Sequence, residues 1–139
     1  MNWKLICGLS LFGLFMAFAT VYFIPSNVEL FCWIVIFIIC AVIIGKNAPG
    51  KYFAHGFMVS IVNCIWITSA HVLLYDKYII KHQDELQQMA PIVEKMRISN
   101  QAVMMIMGPV IGILCGLVLG LLSMIAGKAL GKKKPMYTT

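Results

Sequence analysis

The chain has 139 residues, 61% of them hydrophobic and 12% charged, with a formal net charge of +6 and a mean hydropathy of +0.90. A soluble domain of this size carries roughly a quarter of its residues as charges, and a disordered chain is poor in apolar and aromatic residues, so both classes are excluded. The bilayer is the solvent that suits this composition. The expectation is one all-α integral membrane domain covering residues 1–139.

A spanning helix takes about 20 apolar residues, because the hydrocarbon core is about 30 Å thick and each residue rises about 1.5 Å. Four segments have that character. The first covers about 5–24 and closes on Pro25-Ser26-Asn27; the second covers about 28–45 and runs into the basic turn Lys46-Asn47-Ala48-Pro49-Gly50-Lys51. The third covers about 52–75 and the fourth about 101–126, with Ser99 or Asn100 as its N-cap because either side-chain oxygen accepts an orphan amide at a helix start. Lys4 followed by an apolar stretch and Ala17-Phe18-Ala19 also fits a signal peptide cleaved after about residue 19. Apolar character continuing through Val21-Tyr22-Phe23-Ile24 favours a retained span.

Between the third and fourth spans, residues 76–100 form a polar linker. Ile79, Leu86, Met89, Val93 and Met96 recur in it at helix-like spacing. Pro91 interrupts the pattern, which predicts two short helices, the second opening on the proline. Such a segment lies in the interface or caps the bundle. Residues 127–139 form a basic tail.

Lys4, Lys46, Lys51, Lys128, Lys132, Lys133 and Lys134 fall on one side of this layout without an acidic companion. Glu29 in the first loop and the mixed linker, with Asp76, Asp84, Glu85 and Glu94 against Lys77, Lys81, Lys95 and Arg97, fall on the other. The positive-inside rule then places both termini in the cytoplasm and the linker outside. The excess charge reads as topology and head-group contact, not as nucleic-acid binding. The expected partners are the lipid bilayer and either a second copy or another membrane protein.

Gly108, Gly112, Gly116 and Gly120 repeat every four residues, a groove along which another helix can approach closely. Pro109 predicts a kink beside it. The third span carries Gly56, Ser60, Asn63, Ala70 and His71 along a small and polar stripe, and the first carries Ser10, Gly13, Ala17 and Thr20. Asn63 lies near the midplane, where an unpartnered amide costs several kcal/mol, so it must face protein or water. The first, third and fourth spans are expected to meet through these stripes, leaving the second as the most lipid-exposed. Trp3, Tyr22, Trp33, Tyr52 and Tyr75 fall near the interfaces as an aromatic belt does, while Trp66 is mid-span.

No charged residue lies within the centre of any span, which argues against a proton-coupled carrier. His55 and His71 are too far apart on one helix to share a metal or a haem, and His82 is expected to be solvated. The ten methionines do not form a spaced copper ladder, and the five cysteines lie in apolar segments without a C-x-x-C pair. With no nucleophile–base pair, phosphate loop or metal-spaced carboxylate cluster, no enzyme activity, cofactor or metal is expected. Two main functional readings remain. One is a non-enzymatic accessory or structural subunit, oligomeric through the Gly108 to Gly120 groove. The other is a small pore or transporter for a neutral or weakly charged solute, with Ser60, Asn63, Thr68 and His71 as its polar path. A phage-type holin is a third.

From about residue 52 to 127 the chain resembles a family of small four-span bacterial membrane proteins known only as a domain of unknown function. The resemblance is carried by Phe53-Ala54-His55-Gly56-Phe57, by Tyr75-x-x-Tyr78 and the helical linker, and by Gly108-Pro109 entering a glycine-rich last span before a lysine tail. It implies a bacterial inner-membrane location and transfers no activity.

Overall fold

The structure, a computed structural model, describes residues 1–130. Lys132, Lys133 and Lys134 of the basic tail lie outside the described residues. The chain runs α1 (Trp3–Tyr22), α2 (Ser26–Asn47), α3 (Tyr52–Leu73), α4 (Tyr75–Tyr78), α5 (Gln83–Met96) and α6 (Asn100–Leu130), with no strand among the described residues. Helices α1, α2, α3 and α6 are long and apolar enough to cross a membrane. At 31 residues, α6 is about 46 Å long and overruns a hydrocarbon core of about 30 Å.

The helix ends follow local chemistry. Asn2 caps α1 by accepting the Leu5 amide through its side chain, and Pro25 holds extended backbone ahead of α2. Of the two candidate caps for α6, Ser99 serves: its Oγ accepts the Ala102 amide at 3.2 Å, while the Asn100 amide donates to the Tyr75 hydroxyl. The turn from α2 to α3 uses two consecutive left-handed residues, Gly50 at φ 125° and Lys51 at φ 51°. Each early helix–helix connection is only a few residues long, so consecutive helices run antiparallel.

The linker departs from expectation. Pro91 does not divide it; α5 is one helix with Pro91 inside. A proline removes a single helical hydrogen bond and crowds one carbonyl, so it bends a helix whose other turns are intact. The interruption falls earlier, between Tyr78 and Gln83. There the Gln83 side chain takes the Ile79 carbonyl at 2.6 Å, and the His82 ring takes the Tyr78 carbonyl at 3.0 Å. Helix α6 likewise continues through Pro109.

Packing is organised around α3, which lies parallel to α1 on one side and antiparallel to α6 on the other. The glycine groove of α6 is filled by α3 of the same chain. A Cβ added at Gly112 would lie 2.6 Å from Cys64 Cβ, one at Gly116 would lie 2.9 Å from the Phe57 ring, and one at Gly120 would lie 2.8 Å from the Phe53 ring; Gly108 faces Thr68. Gly56 of α3 returns the fit, with Leu119 O 2.6 Å from where its Cβ would be. Close approach of this kind replaces the hydrophobic drive that is missing between helices in lipid.

All four long helices contribute to one core, which includes Ile6, Leu9, Met16, Ile36, Cys40, Ile44, Val59 and Leu119. Helix α2 closes the bundle against α6, where Gly45 meets the Ala126 backbone. It buries the smallest share of its apolar length of the four, in keeping with its lack of a small and polar stripe. Large apolar side chains point outward all round: Phe15 on α1, Phe31 and Val35 on α2, Ile65 on α3, Leu114 and Ile125 on α6.

Candidate functional site

The polar side chains of this bundle gather at the end that carries α4 and α5. Five elements deliver them. Thr20 comes from the last turn of α1, Ser26, Glu29 and Trp33 from the opening turns of α2, and His71 from the last turn of α3. Tyr78 ends α4, while His82 and Glu85 start α5.

The rings of His71, Tyr78 and His82 stack, with centroids 4.0 Å apart at each step and interplanar angles of 25° and 12°. All three residues are buried. The tight turn between α4 and α5 explains half of this stack: the Lys81 amide donates to the Tyr78 carbonyl and the His82 amide to the Ile79 carbonyl, which folds His82 back onto Tyr78. The sharp junction after α3 supplies the rest by folding Tyr78 back over His71.

Hydrogen bonds fix the outer members. The Thr20 hydroxyl donates to the Met16 carbonyl at 2.9 Å, so the His71 Nε2, also 2.9 Å away, donates to Thr20 Oγ1. The Trp33 indole donates to Glu29 Oε1 at 3.1 Å. Glu85 accepts from the Ser26 hydroxyl at 3.0 Å through Oε1 and from the Tyr78 hydroxyl through Oε2. Burial and the bond to the Glu85 carboxylate both push the Tyr78 hydroxyl far above the ordinary phenol range, so it stays a donor.

His82 is the exception. Its Nδ1 lies 3.0 Å from the Tyr78 carbonyl, which can only accept, so Nδ1 carries a proton. Its Nε2 faces Glu29 Oε2 at 3.5 Å and has no hydrogen-bond partner, although the residue is only 1% exposed. Burial alone would depress the imidazolium; the Glu29 carboxylate, the Tyr78 carbonyl and Glu85 outweigh it and move the His82 pKa upward. Glu29 Oε2, His82 Nε2 and a Glu85 oxygen are ligand-type atoms within 4.8 Å of one another.

The residues singled out from the sequence are distributed differently. Thr68 and Ser60 face α6, Ser60 donating to the Gly112 carbonyl at 3.1 Å. Asn63 faces α1, where it fills the space above Gly13, and neither of its amide atoms has a partner. Ala17 is fully buried on α1. Asn63, Thr68 and His71 therefore lie in two different helix interfaces, and only His71 belongs to the polar cluster. Gly13, Gly56, Gly108, Gly112, Gly116 and Gly120 all sit where helices approach closely.

Two expectations are corrected. His82 is buried in the cluster instead of solvated, because the interrupted linker turns it under α5. Glu29 is not in a loop; it lies in the first turn of α2, where its carboxylate also suits the positive end of the helix dipole. Sequence reading passed over the cluster because its acid and imidazole come from segments remote in the chain. The available signal was the local run of Tyr78, His82 and Glu85, three polar side chains within eight residues of the linker. At the opposite end, His55 clamps the N-terminus: Nε2 accepts the Asn2 amide at 2.9 Å and Nδ1 donates to the Lys51 carbonyl at 3.0 Å.

No family model, curated protein or solved structure matches the chain.

Proposed function

We propose that the chain is a multi-pass protein of a bacterial inner membrane, with both termini cytoplasmic, that works as a non-enzymatic accessory or structural subunit and displays α5 on the outer side. The observation that carries this reading is how the bundle disposes of its small and polar residues. Gly56, Ser60, Cys64 and Thr68 are matched against the glycines of α6, and Gly13 against Asn63. Outward faces are left apolar on all four long helices, as lipid or another membrane helix requires. Lys4, Lys46, Lys51 and Lys128 fall at the His55 end and the mixed linker at the other, which supports a cytoplasmic His55 end.

The glycine groove is occupied within the chain, so association with a second copy or a partner would use an outward face, such as Leu30, Phe31, Ile34, Val35 and Ile38 of α2. A solute pathway has less support, because its candidate residues Ser60, Asn63, Thr68 and His71 are divided between two packed interfaces. The test is the mass of the full chain purified in mild detergent, with co-purifying species identified. A defined homo-oligomer or a stoichiometric membrane partner is the expected result. A clean monomer with no companion refutes the subunit reading and returns attention to flux assays.

A further inference from the structure

We propose that Glu29, His82 and Glu85 form a three-ligand site for a divalent transition-metal ion of the zinc class, with the fourth position open to water. The site is independent of which way the bundle crosses the bilayer and of whether the protein has a partner.

Four observations converge on it. The donor set is one imidazole and two carboxylates, the nitrogen and oxygen ligands that zinc and its neighbours accept. The Tyr78 carbonyl engages Nδ1, so in the neutral ring the lone pair falls on Nε2, which is buried, without a hydrogen-bond partner and aimed at Glu29. A backbone carbonyl on the far nitrogen is the usual way a metal-binding histidine is oriented. The 3.5 Å between His82 Nε2 and Glu29 Oε2 is too long for a direct hydrogen bond of good geometry. It matches the edge of a tetrahedron whose centre lies about 2.1 Å from each ligand, an edge of about 3.4 Å.

The fourth observation is that both carboxylates are fixed in place by neighbouring donors. Trp33 steadies the Glu29 oxygen that does not face His82, and Ser26 and Tyr78 steady Glu85. His71 is not a ligand; its Nε2 is engaged by Thr20, and its ring forms the back wall against Tyr78. An ion here would tie α2 to the start of α5 and pin the linker onto the bundle. The competing occupant of the gap is a proton on His82, which would make an imidazolium–carboxylate pair with Glu29.

The experiment uses the full chain in detergent, stripped with a chelator and titrated with zinc. Bound metal is measured by elemental analysis after desalting, and unfolding is followed by circular dichroism. The expected result is one zinc per chain and a raised melting temperature, with no comparable effect of calcium or magnesium, which call for more oxygen ligands. Cobalt(II) in place of zinc should give visible d–d bands without a thiolate charge-transfer band, which separates this site from the five cysteines. Glu29→Gln and His82→Gln, with helical content retained, should each weaken zinc binding at least about tenfold, and Tyr78→Phe should weaken it about tenfold through loss of its grip on Glu85. The proposal is overturned if the wild-type chain takes up no stoichiometric zinc, as a protonated His82 would predict. A thiolate charge-transfer band, or undiminished binding by folded His82→Gln, overturns it equally. The wild-type zinc and cobalt measurements decide the matter even where a variant does not fold.

Discussion

Replacing Asn63 with leucine should stabilise the bundle. Asn63 is 3% exposed, both its amide atoms lack partners, and it fills the space that a side chain at position 13 would occupy. A buried amide without hydrogen bonds costs about 1–3 kcal/mol on protein mutational scales. Part of that cost is shared by the unfolded state in a membrane, where polar groups also find partners and average contributions fall to about 0.6 kcal/mol. Leucine has nearly the same branched shape, so packing against Gly13 is kept and the polar penalty removed. The expected gain is about 1–2 kcal/mol in reversible unfolding from mixed micelles, followed by circular dichroism. Gly13→Ala should cost about 1–3 kcal/mol, because the new methyl lands on the Asn63 side chain. That cost should shrink in an Asn63→Ala background, where the obstacle is gone. A loss of more than about 1 kcal/mol in Asn63→Leu would refute the reasoning. It would mean that the amide has a partner in the folded bundle, and would revive a polar path along α3.

Gly112→Ile forces a branched side chain into Cys64, 2.6 Å from where even a methyl would sit. It should destabilise or unfold the chain without changing the number of copies in any oligomer; light scattering in detergent that shows an oligomer falling apart into folded monomers would contradict the intramolecular packing. Thr20→Val removes the acceptor for His71 deep in the cluster and should cost about 1 kcal/mol, read as a lower unfolding midpoint. Arg97 ends α5 in the left-handed region at φ 54°, so Arg97→Gly should relieve up to about 1 kcal/mol of backbone strain. A lower midpoint for Arg97→Gly would show that the arginine side chain holds something the backbone argument omits.

Most of the architecture was legible because long apolar segments obey simple rules. The length of four apolar segments marks α1, α2, α3 and α6 to within a few residues, since each must carry its own backbone hydrogen bonds. The glycine spacing runs along the α3–α6 interface, but spacing does not say whose helix fills the groove. That partner turned out to be α3, whose Phe53, Phe57, Cys64 and Thr68 recur along the matching face. The small stripe on α3 was read as one surface, yet its members serve two. A helix flanked on both sides presents Ser60 to α6 and Asn63 to α1, and three residues of offset are enough to separate them.

The polar cluster was hidden for a different reason. Within the hydrocarbon region a charge is costly, so a chain that keeps its spans apolar must place ionisable groups at the helix ends. Ends of different helices meet only in three dimensions, and no local spacing joins Glu29 to His82. Pro91 misdirected the reading of the linker as well. A proline is the strongest local break signal, but the interruption came where side chains of His82 and Gln83 take carbonyls that a continuing helix would have used. That interruption swings Tyr78 and His82 under the bundle, stacks them on His71, and brings Glu85 within reach of Ser26. Interrupted there, the linker lays α5 over the end of the bundle with Glu85, Leu86, Met89 and Val93 on its partly buried side, while Asp84 is exposed. The same local competition for backbone carbonyls therefore sets both the shape of the linker and the only gathering of acid and imidazole found among the described residues.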